Sequence, residues 1–344
     1  MTDAQAAVAA TATDAPPPAI AFTGRRRALA RIVVVNALLS AITLGIYRFW
    51  ARTRLRQFYW RHVEIGGDPL EYTGRAVELL IGFLIALAVL VPLGAGVAVL
   101  KFYVFNQPWL AGTLEVLTYA GFFWLLSYAI YRARRYRLTR TLWHGIRFGQ
   151  DGSPVHYATL RFGTMLANII TLGFAQPWTH VAVRRYEMTH TRFGFTRFEY
   201  DGRGRDLLKA WLPAQVFLLA LVAVYVLFSI DIWSVGRTIA ALATESGGDV
   251  DLNDPQMSAQ FAAFNAVALH YLPWFLAILP FFGVAYVFYR VRTLRYWFAA
   301  SRLTGVSARS DLRTRTVLGY AIGAIGAYVL SIVAALILGV LGGV

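Results

Sequence analysis

The sequence predicts an all-α polytopic membrane protein made of tandem degenerate repeats. Each repeat combines a re-entrant or short helix, an amphipathic interfacial helix, a small cytoplasmic hairpin and transmembrane helices. Three observations carry this reading. Of 344 residues, 58% are hydrophobic and only 15% charged, where a soluble chain carries about a quarter charged residues. Several apolar runs are long enough to cross a bilayer. One segment matches another, His62 falling on His190, with no gap. Cysteine is absent, which excludes disulfides, thiolate zinc sites, iron–sulfur clusters and a cysteine nucleophile.

The elements follow in order. Residues 1–24 are rich in Ala, Thr and Pro, with Pro16, Pro17 and Pro18 in a row. Such a segment buries too little surface to fold and is expected to be a disordered tail. It has no apolar stretch behind a short basic one, which argues against a cleaved signal peptide. Runs at 77–100, 113–131, 209–230 and 268–289 are mainly apolar. At 1.5 Å per residue each covers the ~30 Å hydrocarbon core. A fifth run, 316–343, ends the chain. Two shorter runs, 32–49 and 160–178, are less uniform; each carries a Thr-Leu-Gly, at Thr43-Leu44-Gly45 and Thr171-Leu172-Gly173.

Charge placement gives sidedness. The net charge is +15, and every Lys and Arg except Lys101 and Arg237 falls in five segments: up to Arg31, 48–75, 132–161, 184–209 and 290–315. Positive loops face the cytoplasm, so these five are expected there. The loops near 101–112 and 231–267, the second holding Asp231, Glu245, Asp249, Asp251 and Asp254, are expected in the periplasm. Runs 32–49 and 160–178 then have basic segments at both ends. They are expected to enter and leave by the same face, as re-entrant or interfacial segments with irregular backbone buried by protein; the alternative is that they span and break the positive-inside rule locally.

The repeat supports a modular reading. Thr43, Gly45, Trp50, Arg56, Glu71, Tyr72 and Arg75 fall on Thr171, Gly173, Trp178, Arg184, Glu199, Tyr200 and Arg203. A weaker register links Tyr131-Arg132 to Tyr289-Arg290, an offset of 158. The expected units are 25–131, 132–289 and a partial, divergent 290–344. Within a unit, Pro177 suits the first turn of a helix. The stripe Ala51, Leu55, Phe58, His62 has helical spacing, with Arg52, Arg54, Arg56 and Arg61 pointing away from it. Val63-Glu64-Ile65, then Gly66-Gly67-Asp68-Pro69, then Leu70-Glu71-Tyr72 reads as a short hairpin. Trp143-His144-Gly145-Ile146 gives a similar signal.

These residues resemble a known family. Thr43-Leu44-Gly45-Ile46-Tyr47, Trp50-Ala51-Arg52, Arg54-Leu55-Arg56, His62 and Glu71-Tyr72-Thr73-Gly74 are similar to the bacterial YjgN-like inner-membrane family, built around a domain of unknown function. Thr171-Leu172-Gly173, Pro177-Trp178, Arg185-Tyr186, His190 to Gly194, Phe198-Glu199-Tyr200 and Trp143 to Gly149 resemble it as well. The resemblance covers most of residues 22–320. It implies a multi-pass inner-membrane protein and no particular activity. Ala300 departs from the pattern, standing where the repeat would place His.

Candidate chemistry is sparse. His62 with Glu71, and His190 with Glu199, could meet about a pseudo-twofold axis and bind a divalent metal. Against that, each His can simply hydrogen-bond its own hairpin. The cationic residues are almost all Arg, whose guanidinium suits phosphate headgroups. Arg52, Arg56, Arg184 and Arg185 are the expected lipid or anion contacts. No phosphate loop, His-Glu-x-x-His or nucleophile elbow is present, no cofactor is implied, and no nucleic-acid module is recognised. The function expected is non-enzymatic, a membrane protein whose Arg-rich face contacts anionic lipids. A channel or transporter for a small solute is the alternative, and a metal-dependent membrane enzyme the third reading. The expected partners are membrane lipids, with a homo-oligomer left open.

Overall fold

The computed structural model describes residues 20–103, 107–245, 255–303, 306–307 and 310–324. In chain order the elements are β1 (Ile20–Phe22), α1 (Arg26–Ile42), α2 (Arg48–His62), β2 (Val63–Ile65), β3 (Asp68–Pro69) and β4 (Glu71–Tyr72). Two long helices follow, α3 (Ala76–Tyr103) and α4 (Pro108–Thr139), then β5 (Thr141–Trp143) and β6 (Ile146–Gln150). The pattern then recurs as α5 (Pro154–Ile170), α6 (Gln176–Thr189), β7 (Thr191–Phe193), β8 (Thr196–Arg197) and β9 (Glu199–Tyr200). The last elements are α7 (Arg205–Glu245), α8 (Pro255–Ala300), β10 (Ser301–Leu303) and β11 (Val306–Ser307). The chain is mainly helical. Residues 314–324 are helical too, and the rest of the fifth apolar run lies outside the described residues.

Four helices, α3, α4, α7 and α8, are long and apolar enough to cross a membrane. The most apolar stretches of α3, α7 and α8 bury none of their residues within the protein. Ile85, Val89, Val91, Leu227 and Leu276 all stand exposed. Apolar surface on this scale is unfavourable in water and matched to hydrocarbon. At 41 residues, α7 is about 60 Å long at 1.5 Å per residue, twice the hydrocarbon core. The acidic loop expected at 231–267 is accordingly shorter. Residues 231–245 continue α7 and 255–267 open α8: no Pro interrupts 231–245, Gly236 stays within the helix, and Pro255 begins the next one.

Two compact units emerge. One holds the described residues up to Leu166 with Val183–Asp201 and the strands from Ser301; the other holds Ala167–Ala182, Gly202–Ala300 and the described residues beyond Arg309. In the first, β1–β2–β3 form one sheet and β4–β5–β6–β7–β8 another, with β9–β10–β11 a third. In the second, α7 and α8 form an antiparallel pair held by Phe217 on Phe281 (5.7 Å), Phe228 against Tyr271 (5.8 Å) and Trp211 against Tyr289 (4.9 Å).

The sheet registers recur at the sequence offset. Ile20 pairs with Ile65 and Phe148 with Phe193; Phe22 pairs with Val63 and Gln150 with Thr191. Each hairpin ladder closes in the same way, with Leu70 N–H donating to Val63 O (3.1 Å) and Phe198 N–H to Thr191 O (3.0 Å). Several expectations change here. Ile20–Phe22 is a strand, so the end of the tail expected at 1–24 is ordered by pairing with β2; the rest of that tail lies outside the described residues. Glu71-Tyr72 does not belong to the hairpin before it. It pairs with β5, across two long helices, as Glu199 pairs with Arg302 of β10. At the ends of α4 and α8 the matching offset is 160, not 158. Tyr136 donates to the Glu78 carboxylate (2.8 Å) and Tyr296 to the Asp206 carboxylate (2.6 Å). Arg135-Tyr136 and Arg295-Tyr296 are the equivalent pairs, and the two Tyr-Arg pairs of α4, Tyr131-Arg132 and Tyr136-Arg137, allowed the slipped match.

Candidate membrane-contact site

Two helical hairpins, α1–α2 and α5–α6, turn on the two Thr-Leu-Gly triplets, and the turns are built alike. Leu44 (φ 49°) and Leu172 (φ 48°) sit in the left-handed region, followed by Gly45 (φ 86°) and Gly173 (φ 87°). Gly45 N–H donates back to Ser40 O (2.7 Å) and Gly173 N–H to Asn168 O (2.6 Å), the long-range bond of a Schellman helix end. The threonine stitches the two helices. Thr43 Oγ1 donates to Leu39 O (2.8 Å) and accepts from Tyr47 N–H (2.9 Å). Thr171 Oγ1 donates to Ala167 O (2.7 Å) and accepts from Ala175 N–H (3.0 Å). Glycine is the residue suited to φ near +86°, and a leucine at φ near +49° costs roughly 1–2 kcal/mol.

The tips are apolar and outward. Ile42, Leu44 and Ile46 are exposed on the first, Leu44 to 94%, and Ile170, Leu172 and Phe174 on the second. The two tips differ in one respect. Trp211 Nε1 donates to Gly173 O (3.0 Å) and Gln215 Nε2 to Leu172 O (2.9 Å), tying the second tip to α7. A Cβ on Gly173 would lie 2.7 Å from Leu218, whereas one on Gly45 would meet nothing within 4 Å. The sequence reading missed Trp211 and Gln215; their signal was a polar pair one helical turn apart in an otherwise apolar helix.

The Arg-bearing helices follow the tips. Of the expected lipid contacts, Arg52 and Arg185 are exposed on α2 and α6. Arg56 and Arg184 are not: both turn inward. Arg56 donates to the Tyr72 hydroxyl (3.1 Å), and Arg184 meets Glu187 (3.3 Å) with its side chain 17% exposed. The stripe spacing did not reveal this, since Tyr72 comes from the distant strand β4. Arg134 of α4 also reaches Glu187 (3.5 Å), whose other oxygen accepts from Tyr157 (2.9 Å). Burial foremost, then the Glu187 charge, pushes Tyr157 up to about 12. Burial foremost holds Arg184 below the ordinary guanidinium range; Arg134 adds to this and Glu187 opposes it. Among the other signature residues, Trp50 stacks on Tyr47 (6.2 Å), Pro177 is fully buried in the first turn of α6, and Trp178 packs on Phe174 (5.8 Å).

The histidines serve their own helix ends. His62 Nδ1 lies 2.7 Å from Phe58 O and His190 Nδ1 lies 2.8 Å from Tyr186 O. A carbonyl only accepts, so Nδ1 carries the proton in both. Each imidazole also packs tilted against the ring of that same residue, Phe58 at 4.3 Å and Tyr186 at 4.2 Å. Glu71 and Glu199 are exposed strand residues. Among the described residues no three His, Asp or Glu side chains are grouped to hold a metal, so His62, Glu71, His190 and Glu199 are not brought together.

The chain is 26% identical over 130 residues to inner membrane protein YjgN of Salmonella typhimurium, a match covering 38% of this chain and 30% of that protein. The chain thus spans under a third of that relative's length. No solved structure matches. A family model described as "Bacterial protein of unknown function (DUF898)" matches residues 17–338, which takes in both hairpins, all four long helices and every strand. The chain therefore belongs to this YjgN-like family.

Proposed function

We propose that this protein is a non-enzymatic inner-membrane protein whose working surface is a cationic, lipid-contacting cytoplasmic face. In this reading the chain holds two copies of one module and the start of a third. Each module dips a helical hairpin into the cytoplasmic leaflet and returns it. The observation that carries the reading is Leu44, 94% exposed at the tip of a helix-to-helix turn and flanked by exposed Ile42 and Ile46. A strained apolar tip of this kind is unfavourable in water and favourable in acyl chains. Arg52 and Arg185, exposed on the helices after the tips, stand at the depth where guanidinium meets lipid phosphate.

Strand pairing supports the sidedness. The chain leaves β4, crosses in α3 and α4, and returns to β5 beside β4; it leaves β9, crosses in α7 and α8, and returns to β10 beside β9. Two crossings bring the chain back to the face it left. With hairpins that do not cross, the basic segments share one face, and Lys/Arg bias makes that face cytoplasmic.

The test uses the full chain. Single cysteines replacing Leu55 or Arg185 are expected to react only from the cytoplasm, and one replacing Gln107 from the periplasm. Protein purified with its native lipids is expected to carry anionic lipid in excess, and Arg52→Gln with Arg185→Gln to reduce that excess. Periplasmic labelling at 55 or 185, or an unchanged lipid profile in the double variant, would overturn the proposal.

A further inference from the structure

The first helical hairpin carries an open groove with two cations on its wall. α1 and α2 leave between them a cavity of about 440 Å³, the volume of a small-molecule site. Ile32, Val35 and Phe58 line it, and Arg31 and Arg54 stand on the same wall. Asn36, buried between the helices, donates to Ala51 O (3.4 Å) and fixes their spacing. Both arginines are exposed. Among the described residues neither is in an ion pair, and Arg54 lies over the neutral Tyr47 ring at 5.5 Å. The groove runs on into an apolar stripe. Arg31, Val35, Leu38 and Ile42 recur at helical spacing on α1, and Val35, Leu38 and Ile42 are 39%, 60% and 77% exposed. From Arg31 to Ile42 the helix rises about 16 Å at 1.5 Å per residue, half of the ~30 Å hydrocarbon core.

The second hairpin is an internal comparison. His156 stands where the first has Ala28, another wall residue of the groove. The His156 ring stacks on Tyr186 (5.1 Å), the counterpart of Phe58. Thr159 is the counterpart of Arg31 and Ala182 that of Arg54, and Trp124 of α4 donates to Thr159 (3.3 Å). The copy in which rings pack over this position has therefore also lost both cations. We infer that the groove of α1 and α2 binds one anionic phospholipid, its phosphate held by Arg31 and Arg54 and one acyl chain lying over Val35, Leu38 and Ile42. Guanidinium forks suit the phosphate oxygens, and the exposed stripe suits the chain. A stripe half the core in length matches the acyl depth of a single leaflet. The inference deepens the lipid-contact reading and rests on it for which leaflet supplies the lipid.

The experiment uses the full chain, which has no native cysteine. Leu38→Cys carries a fluorophore on the stripe, and Leu166→Cys carries it at the equivalent position of α5. Each labelled chain sits in phosphatidylcholine bilayers. The probe is phosphatidylglycerol or phosphatidylcholine bearing a nitroxide on one acyl chain. The phosphatidylglycerol probe is expected to quench the label at 38 at about tenfold lower mole fraction, the scale of two cations at a membrane surface. At 166 the two probes should quench far more nearly alike. Arg31→Gln with Arg54→Gln should abolish the preference at 38. Ala28→His copies the second hairpin and should reduce the preference without removing a charge; it carries the test if the double variant does not fold. Arg52→Gln with Arg185→Gln should keep the preference, which separates the groove from the surface contacts. Equal quenching at 38 by the two probes overturns the inference, as does an undiminished preference in the Arg31 and Arg54 variant. Quenching by neither probe overturns it too, because protein then covers the groove. Equal quenching together with cytoplasmic labelling at 55 sinks the groove alone and leaves the lipid-contact reading standing.

Discussion

Leu44 and Leu172 hold a backbone conformation that leucine disfavours, and they do so at equivalent positions. Replacing Leu44 with Gly is expected to stabilise the protein in detergent by about 1 kcal/mol, by relieving the left-handed strain. The neighbouring glycines separate strain from packing. Gly45→Ala should cost about 1 kcal/mol through its φ of +86° alone. Gly173→Ala should lower the unfolding midpoint further, since its Cβ must also displace Leu218. The reverse order would count against the described turn. Tyr157 gives a pH signature. Its folded pKa, about 12, lies above the ordinary 10.0. The associated stability is therefore complete below pH 10 and is lost as pH rises toward 12. A titration of the unfolding midpoint should fall more steeply over that window in the parent than in Tyr157→Phe.

At the scale of elements, the two hairpins are alike in their turns and unlike in their anchoring. Trp211 and Gln215 of α7 hold the second tip, while the matching positions of α3 are Phe83 and Leu87, which have no side-chain donor for the first. Trp211→Phe with Gln215→Leu makes α7 resemble α3. It is expected to cost about 2 kcal/mol, roughly 1 for each hydrogen bond to a carbonyl. Amide exchange at 171–174 should speed up toward the rate at 43–46, and equal exchange before and after would contradict the anchoring. The turns of the β-hairpins β2–β3 and β5–β6 were legible in sequence. Two glycines after Val63-Glu64-Ile65 and His144-Gly145 between Trp143 and Ile146 specify tight turns, and the observed φ values are positive at Gly66, Gly67, His144 and Gly145. The inward turn of Arg56 and Arg184 was not legible. Helical spacing says which residues share a face, but Arg56 turns toward Tyr72 on another element, and the Arg184–Glu187 pair within α6 is closed in by Arg134 and Tyr157 from other helices.

Across the whole molecule, the long apolar helices announce themselves by composition, because a bilayer selects for length and apolarity regardless of neighbours. The strand pairing does not. Tyr72 and Thr141 are partners with two membrane helices between them. Glu71-Tyr72 and Glu199-Tyr200 are too short to carry a pairing signal, so sequence proximity assigned the first to the wrong hairpin. The ion pair of Arg140 with Glu78 (2.8 Å) closes α3 onto α4 at the same end. Glu78→Gln is expected to loosen it by at most about 1 kcal/mol, the scale of a partly exposed pair. Its effect should shrink as salt is raised, and a salt-independent loss would point to the Tyr136 hydrogen bond instead.

The pairing of β4 with β5 also imposes an order of assembly. During synthesis β4 emerges well before its mate, so its backbone donors and acceptors stay unclaimed until both following helices have entered the bilayer. A nascent chain halted within α4 would display an open strand edge, the kind of feature that invites aggregation or quality control. In the finished chain β5 conceals that edge, so the strand stays open only while the second of the two helices is incomplete.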